Sequence, residues 1–258
     1  MLGKLLKHDL KNTLKFIFIF YTITIFLSIL TRLFINTDTP FITFLIGRIL
    51  SGTVISMFAS ILINCVMRLW LKSFAQGVYG DESYLTHTLP VTKTQIYLSK
   101  FLTSLIVAAL SICVIIAAAF IAYYTDARWE MLKRMLFMGD TGIITVLAAV
   151  LVFLEFMNLI QCGFTGIILG HRQNRGKAGF SVLFAVIVET ASQIAVIIFA
   201  GCAALFSADF KQLFTATATI TPDVLYPVFA VDIAIYVLII AFIALLNIRL
   251  LKKGVDVE

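Results

Sequence analysis

Charge is what this chain has least of. Only 13% of its 258 residues are Asp, Glu, Lys or Arg, against 61% hydrophobic residues, and the mean hydropathy is +1.03. A soluble domain of that length has no means of hiding so much apolar surface, so lipid is the solvent for most of it. Histidine is scarcer still. His8, His87 and His171 are the only three, they lie far apart, and none forms an HExxH-type pair. There is no G-x-S-x-G either. These absences argue against an intramembrane protease or lipid-modifying enzyme. The four cysteines, Cys65, Cys113, Cys162 and Cys202, sit inside apolar runs without a CxxC partner. They read as packing or lipid-facing thiols, not as disulfides or metal ligands. The longest polar interval is roughly 30 residues, too few for a separate soluble core.

A phosphate-binding loop is also missing. The nearest approach is Gly170-His-Arg-Gln-Asn-Arg-Gly176-Lys177-Ala178. It has five residues between the glycines where a P-loop has four, and alanine where Ser or Thr would hold the metal ion. If ATP drives this protein, another subunit brings it. No cofactor is expected in this chain, and no catalytic or metal-binding residue; it is read as not itself an enzyme.

What is present is a series of long apolar runs. Length alone allows about six to seven spans, and the pattern resolves six: about Phe16–Phe34, Phe41–Met67, Phe101–Tyr124, Thr141–Gly170, Phe180–Phe206 and Pro227–Leu250. The expected fold is all-α, a single polytopic membrane domain over 1–258. The first run is too long for a signal-peptide core and lacks an A-x-A-like exit, so it reads as a retained span. Before it, residues 1–15 place Lys4, Lys7, Lys11 and Lys15 on one helical face and Leu2, Leu5, Leu6 and Leu10 on the other. That is a basic amphipathic helix, suited to lying at the headgroup level, or else a positive flank for the first span.

The net charge of +6 is distributed unevenly. With the N-terminus inside, 14 of the 20 basic residues fall on one side, including Lys72, Lys93, Arg172, Arg175 and Lys252, against 6 on the other. The positive-inside rule then puts both termini and the long loop 68–100 in the cytoplasm. The placement speaks for membrane topology and anionic lipid rather than nucleic acid. The outer loop Thr125–Asp140 balances Arg128, Lys133 and Arg134 with Asp126, Glu130 and Asp140. It is expected to form a short interfacial helix anchored by Trp129. The semi-polar stretch 207–226 is expected to be an outer re-entrant segment.

Ionisable groups at membrane depth are costly and tend to face protein or water. The candidates are Arg48, Glu155, Glu189 and Asp232. Glu155, Asn158, Cys162 and Thr165 share a face of the fourth span. Glu189, Ser192 and Gln193 cluster in the fifth, and Asp232 and Tyr236 lie one turn apart in the sixth. The second span repeats Gly52, Ser56, Ser60 and Asn64 at every fourth position. Each stripe suits a pathway lining or a helix–helix seam. Gly166-Ile-Ile-Leu-Gly170 is a GxxxG, read as a close helix approach.

The loop Arg68–Lys100 is the polar exception. Val78-Tyr-Gly-Asp-Glu-Ser83 carries turn residues and two acids, Leu89-Pro90 stops a preceding helix, and Thr92-x-x-Gln95 is a capping-box signature for a helix through Lys100. Such a helix offers a rigid knob for a partner to push on, or simply closes a solvated connector.

The start Met1-Leu-Gly-Lys-Leu-Leu-Lys-His-Asp-Leu10 and the segment Tyr79-Gly-Asp-Glu-Ser-Tyr-Leu-Thr-His-Thr-Leu-Pro-Val-Thr92, leading through Leu98-Ser-Lys100 into a span, are similar to the permease subunits of bacterial type-2 ATP-binding-cassette (ABC) exporters. The resemblance extends to the arrangement of spans and loops, through loose motifs. It implies that 1–15 is a connecting helix. It makes Thr92–Lys100 and the turn before it a coupling helix seated on the ATPase, with Asp81, Glu82, Ser83, Tyr84, Leu85, Thr92, Lys93, Gln95 and Ile96 as contacts. His171–Lys177, with Arg172 and Arg175, becomes the smaller second contact. It further implies two copies, or two related chains, with two ATPase subunits that bind ATP and magnesium, in a bacterial plasma membrane, and a pathway between the second and fifth spans. Ser56, Ser60, Asn64, Glu155, Asn158, Glu189, Gln193 and Asp232 are the pathway or seam candidates. The alternative is a non-transport immunity or sensory protein that binds a peptide or lipid directly.

Overall fold

The computed structural model describes residues 2–35, 41–80, 91–137, 139–173, 175–206 and 222–253. The described residues are helices and short connections, without strands. The helices are α1 (Leu2–Ile35), α2 (Phe41–Met67), α3 (Lys93–Tyr123), α4 (Asp126–Phe137), α5 (Asp140–Gly170), α6 (Lys177–Phe206) and α7 (Pro222–Lys252). All but α4 are long and apolar enough to cross a membrane, so the protein is an all-α, multi-pass membrane protein with six candidate spans.

Three expectations about helix ends change. Residues 2–15 and the first span form one uninterrupted 34-residue helix, about 51 Å long. Between Gly3 and Ile35 the sequence has neither proline nor glycine, so nothing breaks the helix at residue 15. The basic segment therefore shares the axis of the span instead of forming a separate helix in the membrane plane. Likewise α2 does not end in a loop at Arg68. It continues as a π-helix over Arg68–Gln76 and a last turn at Gly77–Tyr79. Leu69, Phe74, Val78 and Tyr79 on that extension are buried, and this apolar footing holds it against the helices. At the other end, α7 begins at Pro222, where a missing N–H costs nothing. Of the stretch expected to re-enter the membrane, 222–226 is thus the first turn of α7, and 207–221 lies outside the described residues.

The chain divides into two compact units, with the break inside α4 between Trp129 and Glu130. In the first, α1 packs against both α2 and α3. Its buried face carries Thr13, Ile17, Tyr21, Thr24, Ser28 and Thr31, and α3 buries the small residues Ser104, Ala108, Ser111 and Ala118. Small side chains let the two backbones approach without leaving a void. The buried hydroxyls of Thr24, Ser28 and Thr31 donate to carbonyls one turn back, at 2.8 Å each, so none is stranded. Where α3 ends, Phe120, Tyr124 and Trp129 form a ring cluster with centroids 5.0–6.4 Å apart. The Arg32 guanidinium lies over Tyr124. The expected short helix around Trp129 is α4.

In the second unit, α5 packs against both α6 and α7. Cys162, Ile235, Ile239 and Ile243 form its apolar core with Val188, Ala195, Val196 and Val231. The expected GxxxG contact is present. A Cβ at Gly166 would lie 2.5 Å from Ala185 N and Ser181 O, and one at Gly170 would run into Ser181.

Candidate functional site: the base of the first unit and a polar layer in the second

Helix α3 starts where its sequence says it should. Thr92 is extended (φ −75°, ψ 151°), its Oγ1 accepts from Gln95 N at 3.3 Å, and its own N–H donates to Gln95 Oε1 at 3.2 Å. The two bonds close a capping box and satisfy two otherwise orphaned groups. From there the helix runs without interruption through Tyr123.

One turn further in, the structure brings together a pair that lies 91 residues apart. Lys100 Nζ donates to Asp9 Oδ1 at 2.6 Å, and Ser99 Oγ donates to Asp9 Oδ2 at 2.8 Å. Asp9 and Lys100 are buried, at 7% and 5% exposure. Each carboxylate oxygen has its own donor, which is what a buried charge needs to offset its lost hydration. Lys100 also packs on Gly77 so closely that a Cβ there would sit 2.9 Å from Nζ. The starts of α1 and α3 and the extension of α2 therefore meet at one ion pair. Just above it, Arg68 lies over the Phe16 ring at 4.7 Å, and Tyr21 Oη is 2.7 Å from Ser111 Oγ. Ser111 donates its hydrogen to the Val107 carbonyl, so Tyr21 is the donor.

Sequence reasoning missed Asp9 and Lys100. A signal was available. Asp9 is the only acid among residues 2–15, and it lies on the same helical face as Leu2, Leu5 and Leu6. An acid in an apolar stripe asks for a cation on a neighbouring element.

The expected contact residues separate into three groups. Asp81, Glu82, Ser83, Tyr84 and Leu85 lie outside the described residues. Thr92 is exposed, and Lys93 and Gln95 are half-buried at the helix start. Ile96 is buried at 4% exposure, so it packs inward and offers no contact surface. In the short link from α5 to α6, Arg172 and Arg175 are exposed. Arg172 is partly engaged, donating to the Leu250 carbonyl at 2.6 Å and so tying the link to the end of α7. His171 places Nδ1 2.9 Å from the Ile167 carbonyl, a bond that takes the Nδ1–H tautomer.

The expected stripes also separate. Ser56 and Ser60 donate to the Gly52 and Ser56 carbonyls of their own helix, and Asn64 donates to Ser60 O. In the second unit the stripes converge on a polar layer. Asn158 Nδ2 donates to Ser192 Oγ at 2.7 Å, Gln193 Nε2 donates to Glu189 Oε1 at 3.0 Å, and the Tyr236 hydroxyl donates to Gln193 Oε1 at 3.3 Å. These bonds join α5 to α6 and α6 to α7. Glu189 Oε2 is buried and has no hydrogen-bond partner among the described residues. Asp232 is half-buried and Glu155 exposed, and both lie within electrostatic reach of the Tyr236 hydroxyl. Among the described residues there is no group of His, Cys, Asp and Glu able to hold a metal ion.

Comparison with protein-family models, with curated proteins and with solved structures returned no match for this chain.

Proposed function

We propose that this chain is the membrane-spanning permease subunit of an ABC exporter, forming the pathway as a dimer and driven by separate cytoplasmic ATPase subunits. The observation that carries this reading is the construction of α3. It begins at an exposed, closed capping box, runs unbroken for 31 residues, and is fastened to α1 by the Lys100–Asp9 pair. A displacement applied at Thr92–Gln95 reaches the whole span, because a continuous helix moves as a rod, and the ion pair carries it into α1. Rigid-body shifts of this kind are how packed helices switch between two arrangements. The exposed Arg172 and Arg175 supply a smaller second contact. The sequence supports the division of labour, since its nearest approach to a P-loop has the wrong spacing and lacks the hydroxyl. The hydrogen-bonded layer of Asn158, Ser192, Gln193 and Tyr236 suits a helix seam, and Glu155, Glu189 and Asp232 are the pathway candidates.

Purification of the full chain with a Walker-motif ATPase encoded beside it tests the proposal. A stable complex is expected, with ATPase activity that responds to the permease and loses that response in Gln95→Pro and in the double variant Asp81→Lys/Glu82→Lys. An oligomer that never retains an ATPase would sink the reading and favour a directly binding immunity or sensory protein.

A further inference from the structure

One face of α1 is exposed along its entire length. At 100° per residue, Lys4, Lys7, His8, Lys11, Lys15, Phe18, Thr22, Phe26, Ile29 and Leu33 fall within a band about 100° wide, and all of them are exposed. The chemistry of that face changes once. Through Lys15 it is basic. From Phe18 onward it is apolar, with Phe18 at 66%, Phe26 at 61% and Leu33 at 61% exposure. The one hydroxyl on the apolar part, Thr22, is spent on the Phe18 carbonyl at 2.9 Å. Three residue steps, about 4.5 Å of helix, take this face from its last lysine to its first ring. That sharp change marks the edge of the hydrocarbon. Arg68, stacked on Phe16, adds a cation at the same height from a different helix.

The acid that would dilute this basic face is absent from it. Asp9 points the other way and is consumed by Lys100. What is left outward is uniformly positive. Because the helix is unbroken, the lysines climb along its axis, about 6 Å from Lys15 to Lys11 and about 16 Å from Lys15 to Lys4. The headgroup layer on each side of a bilayer is roughly 5–7 Å thick. Lys15 and Lys11 therefore stand within it, and Lys7 and Lys4 stand above it, within the ~8–10 Å over which salt leaves a field unscreened.

We propose that this face of α1 binds anionic phospholipid headgroups as an upright ladder, with Lys11 and Lys15 on the phosphates and Lys4 and Lys7 acting through the diffuse field. The inference does not depend on the transport reading. Each basic group at an anionic surface is worth about five-fold in binding, so two are worth about thirty-fold.

Native mass spectrometry of the full chain from mixed micelles holding equal phosphatidylglycerol and phosphatidylcholine tests it. The wild type is expected to retain phosphatidylglycerol preferentially. Lys11→Gln/Lys15→Gln should reduce that preference by about thirty-fold, and Lys11→Arg/Lys15→Arg should keep it. Lys4→Gln/Lys7→Gln should lower it less and only at low salt. Lys252→Gln/Lys253→Gln, which removes equal charge at the end of another helix, should lower it by less than Lys11→Gln/Lys15→Gln. A Lys11→Gln/Lys15→Gln protein with wild-type lipid preference overturns the proposal. So does an equal loss from the Lys252/Lys253 or Lys4/Lys7 pair, which would reduce the effect to net charge. Retention of an acidic soluble protein through Lys11 and Lys15, with the lipid ratio unmoved, would assign the face to a protein partner instead.

Discussion

Asp9 and Lys100 are the two charged residues found buried among the described ones, and they satisfy each other. Removing one partner leaves the other charged and out of water, which costs about 3–5 kcal/mol, whereas replacing both with apolar groups is often nearly neutral. Asp9→Asn is therefore expected to lower the unfolding midpoint of the purified protein sharply. Asp9→Leu/Lys100→Met should recover most of that loss. Thermal unfolding in one detergent across the three proteins checks this. If the double variant is as unstable as the single one, the pair is not an isolated electrostatic contact. Ile96, which the resemblance implies as a contact, is an apolar side chain on the inner face of a helix, and burial decides where it points.

At the scale of elements, α5 and α6 depend on two glycines. A methyl at Gly166 would meet backbone atoms of α6, which cannot rotate away as a side-chain tip could. Gly166→Ala and Gly170→Ala are expected to destabilise by about 1–3 kcal/mol through overpacking. Gly52→Ala and Gly179→Ala face open space and should be nearly silent. Measuring all four in one thermal series tests the contact. Equal effects would show that helix propensity, not the approach of α6, governs these positions. The π-helical extension of α2 has no counterpart in the expected elements. Its sequence, Arg68–Gln76, is polar enough to resemble a loop, and only its packing against neighbouring helices makes helix the cheaper state.

For the whole molecule, the distribution of basic residues predicts an orientation that labelling can test. In a background without native cysteines, Arg128→Cys is expected to react with a membrane-impermeant thiol reagent on intact cells. Arg175→Cys and Lys252→Cys should react only after permeabilisation. Labelling of position 175 from outside would reverse the assignment. All three residues are exposed, so accessibility is set by the membrane and not by burial.

The number and rough limits of the spans, the capping box at Thr92 and the close glycine contact were all legible in the sequence. Each depends on neighbours within a turn or two, or on the plain thickness of a bilayer. The sequence also determined a helical fold, because backbone in lipid must satisfy its own hydrogen bonds and long continuous apolar runs do so as helices, whereas barrel strands are short and alternate. The continuity of residues 2–15 with the first span follows locally as well, from the absence of a helix breaker. Only the tertiary structure decided that α2 runs on past Met67 and that Asp9 meets Lys100. The physical reason is range. No local preference selects a partner 91 residues away, and a polar stretch becomes helix or loop according to what packs against it.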